Sequence, residues 1–162
     1  MSISESIIDQ GNLSNITSSA IDAANILDID AALIAPTATV AAVDLFVHRW
    51  QQGDHPVESD VEDIILVMAS LWGEQLVKQL DWEWTAVSFA EDEDVVTIGV
   101  ASPDRSLAIF PFHFVQQCLS NDAPVTIQLA FDLLVDGSRI PEIPAGTFEN
   151  VMNNVHHKTP RT

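Results

Sequence analysis

The chain has 162 residues, and its 24 Asp and Glu outnumber six Lys and Arg to leave a formal charge of −18. Yet 47% of the residues are hydrophobic and only 19% are charged, which separates it from acidic disordered chains, where high charge accompanies low hydrophobicity. The shortage of bases argues against direct nucleic-acid binding, whose affinity comes largely from Lys and Arg on phosphate.

The length fits one domain, and a domain of this size buries about 70% of its unfolded surface. The lone Cys118 has no intramolecular partner, which fits a reducing compartment. The first residues, MSISESIIDQGN, show neither a basic segment nor an apolar run, so no cleaved signal peptide is expected. The most apolar stretch, 20–47, is interrupted by Asp22, Asp28, Asp30, Pro36 and Asp44. Charges at the centre of a spanning helix cost roughly 2.5–3.5 kcal/mol each, so no membrane span is expected. The expected location is the cytoplasm.

Residues 1–35 hold five acids, no base and no aromatic, and read as an N-terminal arm, weakly ordered or helical. Ile21, Leu27, Ile34 and the alanines would form its apolar face. Thr37 to Gln52 reads as a helix, capped by Thr37 or Thr39 and stopped by Gly53. Val40, Val43, Phe46, Val47 and Trp50 recur along it at helical spacing. After a loop at 53–59, Ser59-Asp60-Val61-Glu62 matches a capping box. Asp60, Glu62 and Asp63 add negative charge where the helix dipole favours it. A broad apolar face then runs from Val61 to Leu80. Gly73 inside it costs about 1 kcal/mol relative to alanine, and its expected use is to let another backbone come close.

Beyond Asp81 the pattern changes to alternation. Residues 83–89 read as a strand, Glu91-Asp92-Glu93-Asp94 as its turn, 95–101 as the return strand and 106–110 as a third. Such short turns favour an antiparallel meander. Phe112 to Leu119 suggests a short helix. Residues 125–135 fit a strand or a helical face, with Asn121 or Asp122 and Gly137 as boundaries that favour helix. The expected architecture is α+β: two N-terminal helices packed on a small antiparallel three-stranded meander, followed by one or two further helices. The single domain would span 36–150, with a polar tail at 151–162.

The stretch Leu71-Trp72-Gly73-Glu74-Gln75-Leu76-Val77, followed by Trp82-Glu83-Trp84 and then Ser102-Pro103-Asp104-Arg105-Ser106, resembles a family of small bacterial proteins. That family carries an uncharacterised domain in which a helical G-E-x-L segment feeds a Trp-containing strand. The resemblance covers roughly residues 60–150 and implies domain limits and a bacterial origin, with no activity and no catalytic residue.

Chemistry-bearing patterns are few. Cys118 and His113 could activate a thiolate, but a separation of five residues suits one helix face poorly, and free Cys is usually buried. Asp44 and His48 stand four apart and His55 follows. A zinc or iron site needs at least three protein ligands, and neither H-E-x-x-H nor C-x-x-C occurs. His156-His157 lies in the expected tail. The acids at 91–94 lack the glycine and glutamate spacing of a calcium loop. Glu74 and Glu83 are formal candidates for paired carboxylates, although Glu74 is also placed to pair with Lys78. Arg105 would either bind a ligand of that family or, the preferred reading, tie its turn to a nearby acid. Phosphate-binding glycine motifs are absent. Neither a cofactor nor a metal site is expected.

A one-signed field keeps a protein soluble and speeds association with basic partners. The sequence therefore suggests a non-enzymatic acidic binding protein. Its most concrete form is a bacterial immunity protein that neutralises a cognate toxin by occluding a basic surface. The partner would be a basic protein such as a secreted toxin, with neither nucleic acid nor membrane involved. Trp50, Trp82 and Trp84 are the expected exposed anchors, and Asp54, Glu58, Asp60, Glu91, Asp92, Glu93 and Asp94 the expected acidic contacts. The alternative is a small-molecule-binding or regulatory domain with a pocket between the 61–80 helix and the sheet.

Overall fold

A computed structural model describes residues 3–89, 92–138 and 140–153. The described elements are β1 (Ile3–Ser6), α1 (Gln10–Ile26), α2 (Pro36–Gln51), α3 (Val61–Leu80), β2 (Glu83–Phe89), β3 (Asp92–Ala101), β4 (Leu107–Ile109), α4 (Pro111–Leu119), α5 (Ile127–Asp136) and β5 (Glu149–Asn150). A short 3₁₀ turn, Val151–Asn153, follows β5.

The chain is α+β, but the expected two helices on a three-stranded meander are not what forms. Five helices accompany a five-stranded, strongly curled sheet among the described residues. The meander β2-β3-β4 is its centre. β1 extends one edge by pairing antiparallel with β2, and β5 extends the other by pairing parallel with β4. Both added strands are too short, at four and two residues, to produce a periodic signal in the sequence. Each is fixed by pairing with a partner distant along the chain, which local patterning does not register.

Within residues 1–35, Asp9 caps α1: its Oδ1 accepts from Asn12 N at 2.7 Å. The buried stripe of α1 is Ile16, Ser19, Ala20, Ala23 and Ala24, at helical spacing. These small side chains bring α1 close against α3. Ile21, expected on the apolar face, is instead exposed. In α2, Pro36 takes the first turn behind Ala35, and Thr39 is buried rather than capping. Gly53 follows α2 with φ of 91°.

Helix α3 is the hub of the molecule, packed by α1, α2 and α4. Its middle is buried all round, from Val67 through Gly73, and such a helix must lie inside the fold. Its N-cap is Asp60, with no side-chain cap bond, so the capping box expected from Ser59 and Glu62 does not close. The helix starts at Val61, after Asp60 has already entered as its cap. Gly73 admits a side chain rather than a backbone. A Cβ there would lie 2.2 Å from Trp84 Cη2 and 2.3 Å from its Cζ2, so the indole of β2 rests directly on α3.

The expected turn at 91–94 is also displaced. β3 already includes Asp92, which pairs with Phe89, and the register shifts between Ser88 and Phe89. Residues 125–135 resolve as helix: α5 covers Ile127–Asp136 and ends on Gly137 with φ of 73°. Its N-terminus lacks a cap from Thr126. Asp44 of α2 serves instead, accepting from Gln128 N at 3.0 Å. No described helix is long and apolar enough to cross a membrane.

Candidate functional site

Acidic side chains gather where α2 hands over to α3. Asp54, Glu58, Asp60, Glu62 and Asp63 are all exposed. Three of them flank or occupy the first turn of α3, where the dipole stabilises carboxylates. The base near this run is Arg49, whose Nε lies 3.8 Å from Asp54 Oδ2 with both side chains more than half exposed. Leu66 follows Glu62 and Asp63 by one turn and is 41% exposed, while Val61 is 38% exposed. The face therefore presents carboxylates beside modest apolar area.

The expected aromatic anchors lie elsewhere. Trp50 is 8% exposed and stacks on His55 at 3.9 Å, and Trp82 is 6% exposed. Trp84 is half-buried, packed over Gly73 and tilted against Phe112. Helical or strand spacing marks an aromatic as apolar-facing without saying whether that face is covered. Here the fold covers Trp50 and Trp82 and covers Trp84 in part. Of the expected acidic contacts, Glu91 lies outside the described residues, as do the side chains of Asp92, Glu93 and Asp94.

A second charged group ties the sheet together. Arg105 has φ of 61° in a turn organised by its neighbours. Asp104 Oδ1 accepts from Ser106 N at 2.9 Å, and Ser102 Oγ accepts from Leu107 N at 3.0 Å. The turn aims the guanidinium at two acids, with Nη2 donating to Glu5 Oε2 at 2.9 Å and Nη1 to Glu83 Oε1 at 3.1 Å. Thr85 Oγ1 also donates to Glu5 Oε2 at 2.6 Å. The Arg105 hydrogen bonds hold the Glu5 carboxyl below its ordinary value, with partial burial opposing and Thr85 adding. Glu83 is thus ion-paired with Arg105, which it shares with Glu5, while Glu74 lines the cleft between α1 and α3.

The thiol candidate is shielded in this fold. Cys118 is fully buried, its Sγ donating to Pro124 O at 3.7 Å. Burial, reinforced by Asp44, pushes its pKa up to about 12. His113 is exposed. Asp44 is committed to the α5 N-terminus, and His48 is exposed. Among the described residues, no group of three or more His, Cys, Asp or Glu is placed to hold a metal ion.

One surface was not legible in the sequence. A cleft of about 820 Å³ lies between α1, the loop after it and the C-terminal half of α3. It differs in place from the pocket expected between α3 and the sheet. Ala20, Ile21, Ala24 and Leu71 give it an apolar wall, and Asp28, Asp30, Glu74 and Lys78 stand around it. Gln75 lines it from within the fold at 1% exposure. Its Nε2 donates to Leu71 O at 3.2 Å, and its Oε1 accepts no hydrogen bond among the described residues. The sequence signal, a Gln within an apolar helical run, is indistinguishable from a surface position until the all-round burial of α3 is known.

Comparison with protein-family models, with curated proteins and with solved structures finds no match.

Proposed function

We propose that the chain is a non-enzymatic binding protein whose acidic α2–α3 face docks on a basic protein. Its most concrete form is an immunity protein that neutralises a cognate toxin by covering a basic surface. The carrying observation is the disposition of the bases. Of the three described ones, Arg105 is held between Glu5 and Glu83, Arg49 sits beside Asp54, and Lys78 lines the α1–α3 cleft. The carboxylates of Glu58, Asp60, Glu62 and Asp63 therefore face solvent without a matching cation in their own ion pairs among the described residues. Such a surface accelerates encounter with a basic partner and rejects acidic ones. Val61 and Leu66 supply the apolar contact that the buried Trp50 and Trp82 do not.

The test is co-purification with the product of the adjacent gene, followed by binding measurements across a salt series. Binding should weaken as salt rises. It should fall further in a variant carrying Glu58→Gln, Asp60→Asn, Glu62→Gln and Asp63→Asn. A neighbouring gene that encodes neither a toxin nor a secretion component, with no basic partner recovered, would remove the basis of this reading.

A further inference from the structure

Resting on the binding role above, we propose that the groove where the sheet runs out from under α3 seats an amphipathic helix of the basic partner. That helix would carry apolar side chains on one face with Lys or Arg beside them. Opposed residues of β2 and β3 share a face of the sheet, so Trp84, Ala86 and Ser88 lie beside Val100, Ile98 and Val96. Helix α3 covers one end of this face, where Trp84 rests on Gly73. The cover fails along β3: Val100 is fully buried, Ile98 is half-buried and Val96 is 55% exposed. Two adjoining hollows of about 370 and 330 Å³ lie there and share Asn12 and Ile98. Leu66 of α3 and Phe112 of α4 wall the first, and Ile7 and Val96 wall the second. Ile7, Leu66 and Val96 are all large apolar side chains that the fold leaves open. Isolated exposed apolar residues are ordinary, whereas a contiguous run of them marks an interaction surface.

Charge complementarity selects the occupant. No Lys or Arg lines either hollow, and the ionisable lining residue is Asp9, in the second. Beside the first, Glu62 and Asp63 stand four and three residues before Leu66, on the same side of α3, and both are exposed. The groove is therefore apolar along its floor and flanked by carboxylates at each hollow. The three described bases are engaged elsewhere, Arg49 beside Asp54, Arg105 between Glu5 and Glu83, and Lys78 on the α1–α3 cleft. An apolar stripe bordered by cations fits this arrangement, in the helix-in-groove mode of recognition. A purely apolar segment would leave the carboxylates unmatched. A second copy of the chain would bring a further charge of −18 against them.

The probe is a peptide of about 18 residues, long enough to hold a helix, built from Leu and Lys with Leu at helical spacing. One control replaces every Lys by Glu. Another keeps the composition but scrambles the order, so that no apolar face forms. Titrated into the full chain, the Leu–Lys helix should bind and shift the methyl resonances of Val96, Ile98 and Leu66. The scrambled peptide carries the same charge and should bind at least about tenfold more weakly, and the Glu peptide not at all. Ile7→Thr combined with Val96→Thr trims two exposed side chains while leaving the net charge and the α2–α3 face intact. It should weaken the Leu–Lys helix by about tenfold or more and leave urea unfolding nearly unchanged. Failure of the Leu–Lys helix to bind, equal binding of the scrambled peptide, binding without shifts at Val96 and Ile98, or full-strength binding to the double variant would overturn the proposal. The groove and the acidic face fail separately. A recovered partner that is weakened by neutralising Glu58, Asp60, Glu62 and Asp63 but binds the double variant like the parent upholds the face and overturns the groove. Groove binding of the Leu–Lys helix with no basic partner recovered removes the earlier reading and keeps the groove.

Discussion

Replacing Gly73 by alanine sets two effects of opposite sign against each other. Intrinsic helix propensity favours alanine by about 1 kcal/mol. Packing opposes it, because the new Cβ would sit 2.2 Å from Trp84 Cη2 and 2.3 Å from Cζ2. Carbon atoms rest at about 3.5–4.0 Å, so the indole must retreat by more than about 1 Å. Trp84 cannot do this freely, being packed between α3 and Phe112, whose ring centroid is 5.9 Å away. Overpacking of this kind costs about 1–3 kcal/mol, occasionally more. The net expectation for Gly73→Ala is a destabilisation of up to about 2 kcal/mol once the propensity gain is deducted. Urea unfolding followed by circular dichroism measures it directly. Repeating the substitution in a Trp84→Leu background should reverse the sign, since the branched side chain leaves the contact and the propensity gain remains. If Gly73→Ala stabilises the parent, the indole moves without penalty and the tight α3–β2 contact is not what demands glycine.

Glu5→Gln should loosen β1, because its carboxylate receives both Arg105 and Thr85. Solvent limits the loss to about 1 kcal/mol or less. The folded carboxyl titrates below its ordinary value of 4.5, so its contribution is complete above that pH and lost as pH falls through the folded value. Parent and variant should therefore differ at pH 7 and converge in acid; a constant difference would exclude the ion pair as the cause. Asp44→Ala should cost about 1 kcal/mol by uncapping α5 at Gln128, read as faster amide exchange in the first turn of α5; unchanged exchange there would count against the cap. With its pKa near 12, the Cys118 thiol should be on the order of 10⁻⁴ ionised at pH 8 and label with a disulfide reagent only on unfolding. Prompt labelling under native conditions would contradict its burial.

Helices α2, α3 and α4 were legible because each carries a dense apolar stripe between recognisable boundaries, such as Gly53 after α2 and Pro111 in the first turn of α4. The meander was legible from alternation. The added edge strands were not, since Ile3–Ser6 and Glu149–Asn150 have no period of their own and exist through β2 and β4. The same limit governed the site. Arg105 could be expected to find an acid, and it did, but nothing local pointed to Glu5, a hundred residues away. Trp50, Trp82 and Trp84 could be read as anchors only while their cover was unknown, and the fold supplies that cover. The α1–α3 cleft depends on how α1 packs on α3, which no spacing rule encodes.

The acids divide into those with an internal task and those without, and this division makes the charge experimentally separable. Asp9 caps α1, Asp44 caps α5, Asp104 organises the β3–β4 turn, and Glu5 and Glu83 grip Arg105. These interactions operate within about 3 Å, well inside the Debye length, where salt screens weakly. The exposed acids at the α2–α3 junction act on one another over longer distances through water, where screening is strong. Raising ionic strength from about 0.01 M to 0.15 M shortens the Debye length from about 30 Å to about 8 Å. Repulsion across a body of charge −18 should weaken more than the local bonds do. Stability measured by urea unfolding should therefore rise with sodium chloride over that range. Neutralising Glu58, Asp60, Glu62 and Asp63 together should flatten the dependence without lowering stability, whereas Glu5→Gln should leave the slope nearly intact. A fall in stability with salt would mean that attractive pairs such as Arg105 with Glu5 dominate, and that the acidic face exerts too little field to steer a partner.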